Sequence, residues 1–522
     1  MYVKIMSASV LGVEGRLIEV EVNICSGLPQ VSVVGLPDSA VRESVERVRA
    51  AIQNGGMKFP MDRITINLAP ADLRKEGSAF DLAIAAGILC ASGQVDERLL
   101  DDTMFIGELS LNGTVRTVPG VLPMTELARN TGIRRVIVPQ DAVTEASLIS
   151  GIEVFGISSL EEWINGFIDD RDTSFNSASR TKFLANDLQA VQSRWGSGEQ
   201  ESEIDLSDVI GQEQGKRALL IAASGMHNLL FIGPPGTGKT MLCRRLPTLM
   251  PPLDDKEALS VTKIFSVCGK LDNGHSGLIR RRTFRAPHHS ISTAGLIGGG
   301  SMPKPGEVTL AHHGILFLDE MPEFSRTSLE ALRQPLEDRE VTIGRALGVC
   351  RFPARFMLAA SMNPCPCGYY GGGVDDRPCT CTPTGIARYR ARMSGPLADR
   401  LDLQVELPRQ AVRQGTNVGM TSAQAREIVM DAVRRQKTRY AKHGFQWNSQ
   451  LQGPLLKKYA KLSSDAEMML QQVYDQLGLS FRAHDRILKM SRTIADLAGK
   501  ETIRLEDVAE AISYRCLDKA AE

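Results

Sequence analysis

The sequence predicts a multidomain α/β protein: a parallel-sheet core with a phosphate-binding loop, an α+β domain before it and a helical domain after it. Three observations carry this reading. Leu229–Ile232, Ile315–Leu318 and Phe356–Ala360 are short, unbroken apolar runs, as in strands buried on both faces of a parallel sheet. The first run opens directly into Gly233-Pro234-Pro235-Gly236-Thr237-Gly238-Lys239-Thr240, which fits the pattern GxxxxGK[ST]. Past residue 421 strand signals cease, and Ser422–Tyr440, Ser464–Gly478, Arg482–Ala498 and Leu505–Ser513 read as helices.

Residues 1–168 alternate short β-branched runs with helical patterns. Val31–Val34, Ile64–Leu68, Phe105–Leu109 and Arg135–Val138 read as strands, Ala40–Gln53 and Ala79–Ala91 as helices. Residues 169–203, rich in Ser, Asn, Asp and Gly, read as a linker with room for one short helix. Residues 204–415 are the expected nucleotide-binding core and 416–522 the expected helical lid. A chain of 522 residues exceeds one core, in keeping with this division.

Lys+Arg and Asp+Glu balance at 61 each, so overall charge neither favours nor excludes a nucleic-acid partner. No cationic segment followed by a long apolar run opens the chain, and the longest apolar stretch, Leu82–Ala91, is about half a membrane span. Four cysteines crowd between 365 and 381 and the rest scatter, unlike a secreted disulfide scaffold. The expectation is a cytoplasmic protein with no membrane partner.

In a loop of this pattern, glycines let backbone N–H groups wrap the phosphates, Lys239 reaches the β- and γ-phosphate oxygens, and Thr240 ligates Mg²⁺. Ile315–Leu318 ends in Asp319-Glu320, and parallel strands deliver such carboxylates beside the phosphate loop. Asp319 is expected in the Mg²⁺ shell and Glu320 at the attacking water. The third strand ends at Asn363, an uncharged amide suited to a water or γ-phosphate contact; the alternative is a turn-forming Asn. ATP and Mg²⁺ are the expected cofactors.

Phosphate loop, acidic strand end, polar strand end and helical lid, in this order, resemble an AAA+ ATPase. The resemblance implies that Ile210, Gly211 and Gln212 lie over the adenine. It implies an arginine finger of the magnesium-chelatase and MCM branch at Arg400, within Ser394–Asp402, and the sensor-2 arginine at Arg482, within Ser480–Arg486. A planar, permanently charged guanidinium suits both positions, and surface ion pairs are the alternative. A finger supplied in trans is worth about 10³–10⁵ in rate. Head-to-tail contacts that close give a ring, and the resemblance implies a homo-oligomer of six subunits.

Ile279–Ser290, Gly298–Val308 and Leu310–Gly314 closely resemble the YifB/ComM family, related to magnesium-chelatase subunit I, and the similarity runs from Leu11 to Leu497. It implies an inserted loop near 284–306 and a hairpin near Glu340–Val349, both facing a central channel. Residues 279–306 hold Arg280, Arg281, Arg282, Arg285, His288, His289 and Lys304 without a carboxylate. With Arg345 on the hairpin, these are the candidate DNA contacts; a solvated basic loop is the alternative. Residues 388–461 carry 15 Lys/Arg against 5 Asp/Glu, interleaved with Tyr389, Tyr440, Phe445, Trp447 and Tyr459. That pattern suits single-stranded or branched DNA.

Cys365, Cys367, Cys379 and Cys381 form two CxC knuckles, four soft ligands that favour tetrahedral structural Zn²⁺ over free thiols, the alternative. The cluster begins two residues after Asn363, and so is expected to brace the loop leading to Arg400.

Residues 1–168 resemble the Lon-protease fold, seen also in RadA-type recombination proteins, most clearly at Gly107–Gly120 and Gly132–Pro139. Lon catalysis needs a nucleophilic Ser and a Lys. The matching positions here are Ala79 and Leu122, with Ser78 adjacent to the first, so a scaffold is expected and not a protease. The YifB/ComM resemblance implies an ATP-driven hexameric DNA motor, a helicase or branch-migration enzyme of homologous recombination, as in natural transformation. The alternatives are a chelatase-type motor that drives metal insertion through a partner, an ATP-dependent protease, and a nucleotide-gated scaffold.

Overall fold

The computed structural model describes residues 1–72, 74–75, 77–168, 204–271, 277–300, 303–345, 348–371, 377–409, 419–477 and 480–515; the expected linker at 169–203 lies outside them. The chain folds into two units. One contains the described residues of Met1–Glu199 with Asp255–Ile279 and Ile343–Arg351. The other contains those of Gln200–Asp254, Arg280–Thr342 and Phe352–Glu522. Among the described residues no helix is long and apolar enough to cross a membrane.

Seven strands form the sheet of the N-terminal unit: β1 (Tyr2–Leu11), β2 (Glu14–Cys25), β3 (Gln30–Val34), β4 (Arg63–Ala69), β5 (Thr103–Phe105), β6 (Arg135–Pro139) and β7 (Glu153–Ile157). Their order is β3-β4-β2-β1-β5-β6-β7. β1 and β2 make a long antiparallel hairpin, from Tyr2 opposite Asn23 to Leu11 opposite Glu14. This hairpin goes beyond the strands expected here, although Val3 and Ile5, then Ile18, Val20 and Val22, alternate and are buried. The run expected at Phe105–Leu109 is two strands: Glu108–Leu109 leaves the sheet to pair with Val115–Arg116. Asp81–Ala91 is apolar nearly all round, and all its residues are buried.

The helix Asp255–Val267 belongs to this unit, although the sequence reading sets residues 255–279 within the nucleotide-binding core. Val261 and Ile264 are buried, Lys263 pairs with Glu126, and Ser266 donates to Glu145 at 2.6 Å. Its apolar face finds a partner that is distant in sequence, so local pattern could not assign it.

The second unit is built on five strands: β8 (Leu229–Ile232), β9 (Phe284–Arg285), β10 (Ile315–Leu318), β11 (Met357–Met362) and β12 (Leu403–Glu406). Their order is β9-β10-β11-β8-β12, and every pair is parallel. All residues of β8, β10 and β11 are buried, in keeping with runs that are apolar throughout in β8 and β10 and broken only by Ser361 in β11. Parallel register puts the loops after β8, β10 and β11 side by side at one edge of the sheet. The helices Ser422–Arg439, Ser464–Leu477, Phe481–Leu497 and Leu505–Ser513 contribute to the same core. Thr421 and Gln424 form a capping box at the first, and Ser480 accepts from the Ala483 N–H at 3.2 Å at the third.

Candidate nucleotide-binding and catalytic site

The loop after β8 wraps as its glycines permit: Gly236 and Gly238 have φ of 83° and 84°, the left-handed region. Lys239 is buried, and its ammonium donates to the carbonyls of Gly233 at 2.6 Å and Pro234 at 2.9 Å and to Asn363 Oδ1 at 3.2 Å. Burial lowers its pKa, and the charges of Asp319 and Glu320 oppose that shift. The charged lysine is therefore held inside the loop, aimed at the strand end that carries Asn363.

Thr240 Oγ1 donates to Asp319 Oδ2 at 2.9 Å. A hydroxyl and a carboxylate in this arrangement fit Mg²⁺, a hard cation that takes oxygen ligands and one or two carboxylates. Glu320 has a left-handed backbone (φ 51°), which turns its exposed carboxylate out of the strand line. Gln212 Nε2 donates to the carbonyls of Thr237 at 3.2 Å and Pro408 at 2.9 Å, tying the segment of Ile210 and Gly211 to the loop. Ile210 itself is 77% exposed, a large apolar side chain available to a flat apolar ligand.

Two residues enter the site that the sequence reading does not name for it. Ser361 donates to Asp319 Oδ1 and accepts from the Glu320 N–H at 3.0 Å, so one hydroxyl aligns both carboxylate residues. Its signal is a lone hydroxyl within the buried run Met357–Met362. Tyr389 is buried, and burial raises its phenol to about 12 while the Asn363 backbone N–H bonds to it.

Arg400 and Arg482 stand elsewhere. The Arg400 carbonyl accepts from Asn228 Nδ2 at 2.8 Å, and Asn228 precedes the first residue of β8. The phosphate loop follows the last residue of β8, four residues on, about 13 Å away at a strand rise of roughly 3.3 Å. The Arg400 guanidinium bonds to Glu337 and the Pro396 carbonyl. Arg482 Nη1 lies 4.0 Å from the same Glu337 oxygen. Farther along that helix, Arg486 is 3.5 Å from Asp402 and Thr493 bonds His227 at 2.7 Å, both beside the start of β8 and β12. The two arginines thus share the sheet edge opposite their own chain's phosphate loop.

The candidate DNA contacts divide. Arg282 is buried, donating to the carbonyls of Pro251 at 2.8 Å and His313 at 2.7 Å, with Trp447 beneath it at 5.4 Å. Arg285 is held bidentate by Glu307 at 2.6 and 2.8 Å, a carboxylate one residue beyond the stretch read as carboxylate-free. Arg282 is thus enclosed by the fold, whereas Arg285 is partly exposed with its charge offset by Glu307. Arg280, Arg281, His288 and Lys304 are exposed, Lys304 on a small ribbon opposite Gly299. His289 is half-buried against His288, ring centroids 4.0 Å apart. Arg345 ends the first strand of the ribbon Glu340–Arg345 and Gly348–Pro353, and its side chain lies outside the described residues.

The aromatics of 388–461 are not a stacking platform. Tyr389, Tyr440 and Trp447 are buried, and Phe445 and Tyr459 pack on the same core as Tyr440. Tyr440 lies 4.8 Å from Phe445 and 5.3 Å from Tyr459, ring to ring, and its hydroxyl bonds Asn448 at 2.6 Å. These aromatics come from separate helices and from the chain between them, and each turns its ring into the core.

The four cysteine sulfurs lie within 4.8 Å of one another. Cys365 Sγ is 3.3 Å from Cys367 Sγ and 3.7 Å from Cys379 Sγ, and Cys367 to Cys379 is 3.6 Å. Zn–S bonds of about 2.3 Å in a tetrahedron put sulfurs about 3.8 Å apart, so the donor set fits that ion in number, softness and spacing. In the N-terminal unit, Leu122 is buried and Ala79 packs against the core, so neither position offers a nucleophile or a base. The neighbouring Ser78 hydroxyl bonds Glu108.

Residues 205–415 match the family described as magnesium chelatase, subunit ChlI, residues 20–142 match subunit ChlI of Mg-chelatase, and residues 419–515 match the ChlI C-terminal family. Competence protein ComM of Haemophilus influenzae is 43% identical over 516 residues, covering 98% of this chain and 97% of its own. The Escherichia coli protein YifB is 44% identical over 514 residues, 98% of this chain and 96% of its own. Lon protease 2 of Bacillus subtilis is 30% identical over 168 residues, 28% of this chain and 29% of its own.

Proposed function

The chain belongs to the YifB/ComM family of AAA+ proteins related to magnesium-chelatase subunit I, and from that premise we propose that it is an ATP-driven, ring-forming DNA motor. The observation that carries this reading is the separation of its catalytic parts. Lys239, Thr240, Asp319, Glu320 and Asn363 gather at one edge of the sheet, and Arg400 and Arg482 at the other. A site of this design is complete only when a neighbour brings its arginines to the γ-phosphate. Identical head-to-tail contacts then close a ring, six subunits in this reading.

ATP and Mg²⁺ are the cofactors, with Zn²⁺ in the cysteine cluster. Lys239 holds the β- and γ-phosphates, Thr240 and Asp319 hold Mg²⁺, and Glu320 orients the attacking water beside Asn363. Mg²⁺ supplies charge neutralisation on the transferring phosphoryl group. DNA as the substrate rests on similarity to a competence protein along nearly the whole chain and on the exposed Arg280, Arg281, His288 and Lys304. In this reading the motor carries out strand displacement or branch migration in recombination, in the cytoplasm.

The test is ATP-dependent strand displacement or branch migration on forked and four-way DNA, with wild type and Glu320→Gln. Movement by the wild type that the variant loses supports the proposal. Hydrolysis by a verified ring without movement on either DNA rules out the DNA motor. The match of 205–415 to a chelatase subunit favours one second reading, a motor for metal insertion, which predicts hydrolysis stimulated by porphyrin and partner and not by DNA.

A further inference from the structure

We propose that the tetrathiolate of Cys365, Cys367, Cys379 and Cys381 holds Zn²⁺ and acts as a strut under the phosphate loop, so that metal occupancy sets nucleotide affinity. This rests on reading that loop as the ATP site.

The sulfurs are too far apart for disulfides, whose S–S bond is about 2.05 Å, and close to the spacing of a closed tetrahedral thiolate site. Backbone N–H groups point at them, Cys367 N to Cys381 Sγ at 3.4 Å and Tyr370 N to Cys365 Sγ at 3.3 Å. Each knuckle supplies two ligands, so the ion joins two short segments that are separate in the chain.

The first knuckle leans on the phosphate loop. Gly368 follows Cys367 directly, has a left-handed φ of +88°, and closes a turn by donating to the Cys365 carbonyl at 3.0 Å. A Cβ on Gly368 would lie 2.8 Å from Pro235 Cδ and 3.1 Å from Pro235 Cγ. Backbone and loop therefore touch with no side chain between them. On its other side the knuckle continues from Asn363, the acceptor of Lys239, and the Pro364 carbonyl accepts from Arg390 at 3.3 Å.

Without the ion, the described contacts left between the two knuckles are weak ones among the thiols and the Cys367 N–H bond to Cys381 Sγ. The turn at Gly368 then relaxes and Pro235 loses its backing. The contact with the phosphate loop stands beside the expected bracing of the segment toward Arg400, which Arg390 joins to the knuckle.

The test measures zinc by elemental analysis and the dissociation constant of a fluorescent ADP analogue, on full-length wild type, a Cys379→Ser/Cys381→Ser double variant and Gly368→Val. The double variant leaves Pro235 and its glycine neighbour untouched. Gly368→Val keeps all four ligands and presses on the proline. The expected result is one zinc per wild-type chain, zinc lost from the double variant with nucleotide affinity reduced at least tenfold, and zinc retained by Gly368→Val with a similar loss of affinity.

Should the double variant fail to fold, chelator stripping of the wild type followed by zinc return gives the same comparison, and affinity must fall and recover. Zinc loss with affinity within twofold of wild type overturns the strut and leaves the ATP site standing. Absence of zinc from reduced wild type overturns the metal assignment. Wild type that holds zinc and binds no nucleotide overturns the ATP-site reading itself.

Discussion

Arg400 and Arg482 converge on a single oxygen, Oε1 of Glu337, the first in direct contact and the second at 4.0 Å. One carboxylate neutralises one guanidinium, so the trio keeps a net positive charge. Arg482 is 68% exposed, which leaves that charge accessible to an anion from outside the chain. Glu337 is thus a positioning residue: it keeps two cations together that would otherwise repel, at an edge their own phosphate loop does not reach.

Because the arginines and the phosphate loop belong to different edges, defects in them should complement. Arg400→Ala alone is expected to lower hydrolysis by about 10³ or more while sparing nucleotide binding. Lys239→Ala should abolish both. Mixed assemblies of the two variants contain interfaces where an intact loop meets an intact finger, so hydrolysis should reappear in a steady-state assay of the mixture. No recovery, with mixed assembly verified, would show that Arg400 acts within its own chain.

Ser361 offers a finer test of the site. Its hydroxyl bonds the Asp319 carboxylate and receives the Glu320 N–H. A hydrogen bond to a charged group contributes about 1.5–3 kcal/mol. Ser361→Ala is expected to lower kcat about tenfold or more and raise the Mg²⁺ concentration needed for half-maximal rate, with little change in Mg²⁺-free nucleotide binding. A normal Mg²⁺ profile would mean that Thr240 alone suffices to orient Asp319.

The strands of the second unit were legible because a four-residue strand buried on both faces must be apolar throughout, as Leu229–Ile232 and Ile315–Leu318 are. The residues at their ends followed from the same rule. What the chain order hides is long-range pairing. Arg282 and Arg285 look like free charge in a count of basic residues, yet one is spent on carbonyls of residues 251 and 313 and the other on Glu307. Glu337 and Ser361 carry no local motif; only the fold brings them to Arg400 and Asp319. The β1–β2 hairpin did carry a period-two signal, Ile18, Val20 and Val22 alternating with Glu19 and Glu21, and it went unused in the strand expectations.

This division of arginines makes the DNA proposal sharper. Arg281→Ala and Lys304→Ala should each weaken binding to forked DNA and lower the slope of log affinity against log salt by about 0.9, the loss of one phosphate contact. Arg285→Ala should instead destabilise the fold through an unpaired Glu307, seen as a lower Tm with the salt slope unchanged. If Arg285→Ala alone reduced the slope, the Glu307 pair would have to open on DNA.

Asp402 gives a pH signature for the edge that carries the arginines. Burial pushes its carboxyl up, but His227 at 3.4 Å with the charges of Arg486 and Lys489 outweighs burial and holds it at about 2, below the usual 3.8. The folded state therefore binds its proton less readily than the unfolded chain. The resulting stability is fully present above pH 4, roughly halved near pH 3, and lost as pH falls through about 2. A shift of this size corresponds to about 2 kcal/mol at neutral pH. Urea unfolding of wild type and Asp402→Asn should show at least that gap at pH 7, narrowing on approach to pH 2 as the wild-type carboxyl takes up its proton. A gap that stays constant with pH would mean that Asp402 contributes by packing and by its bond from the Asn228 N–H, and not by charge.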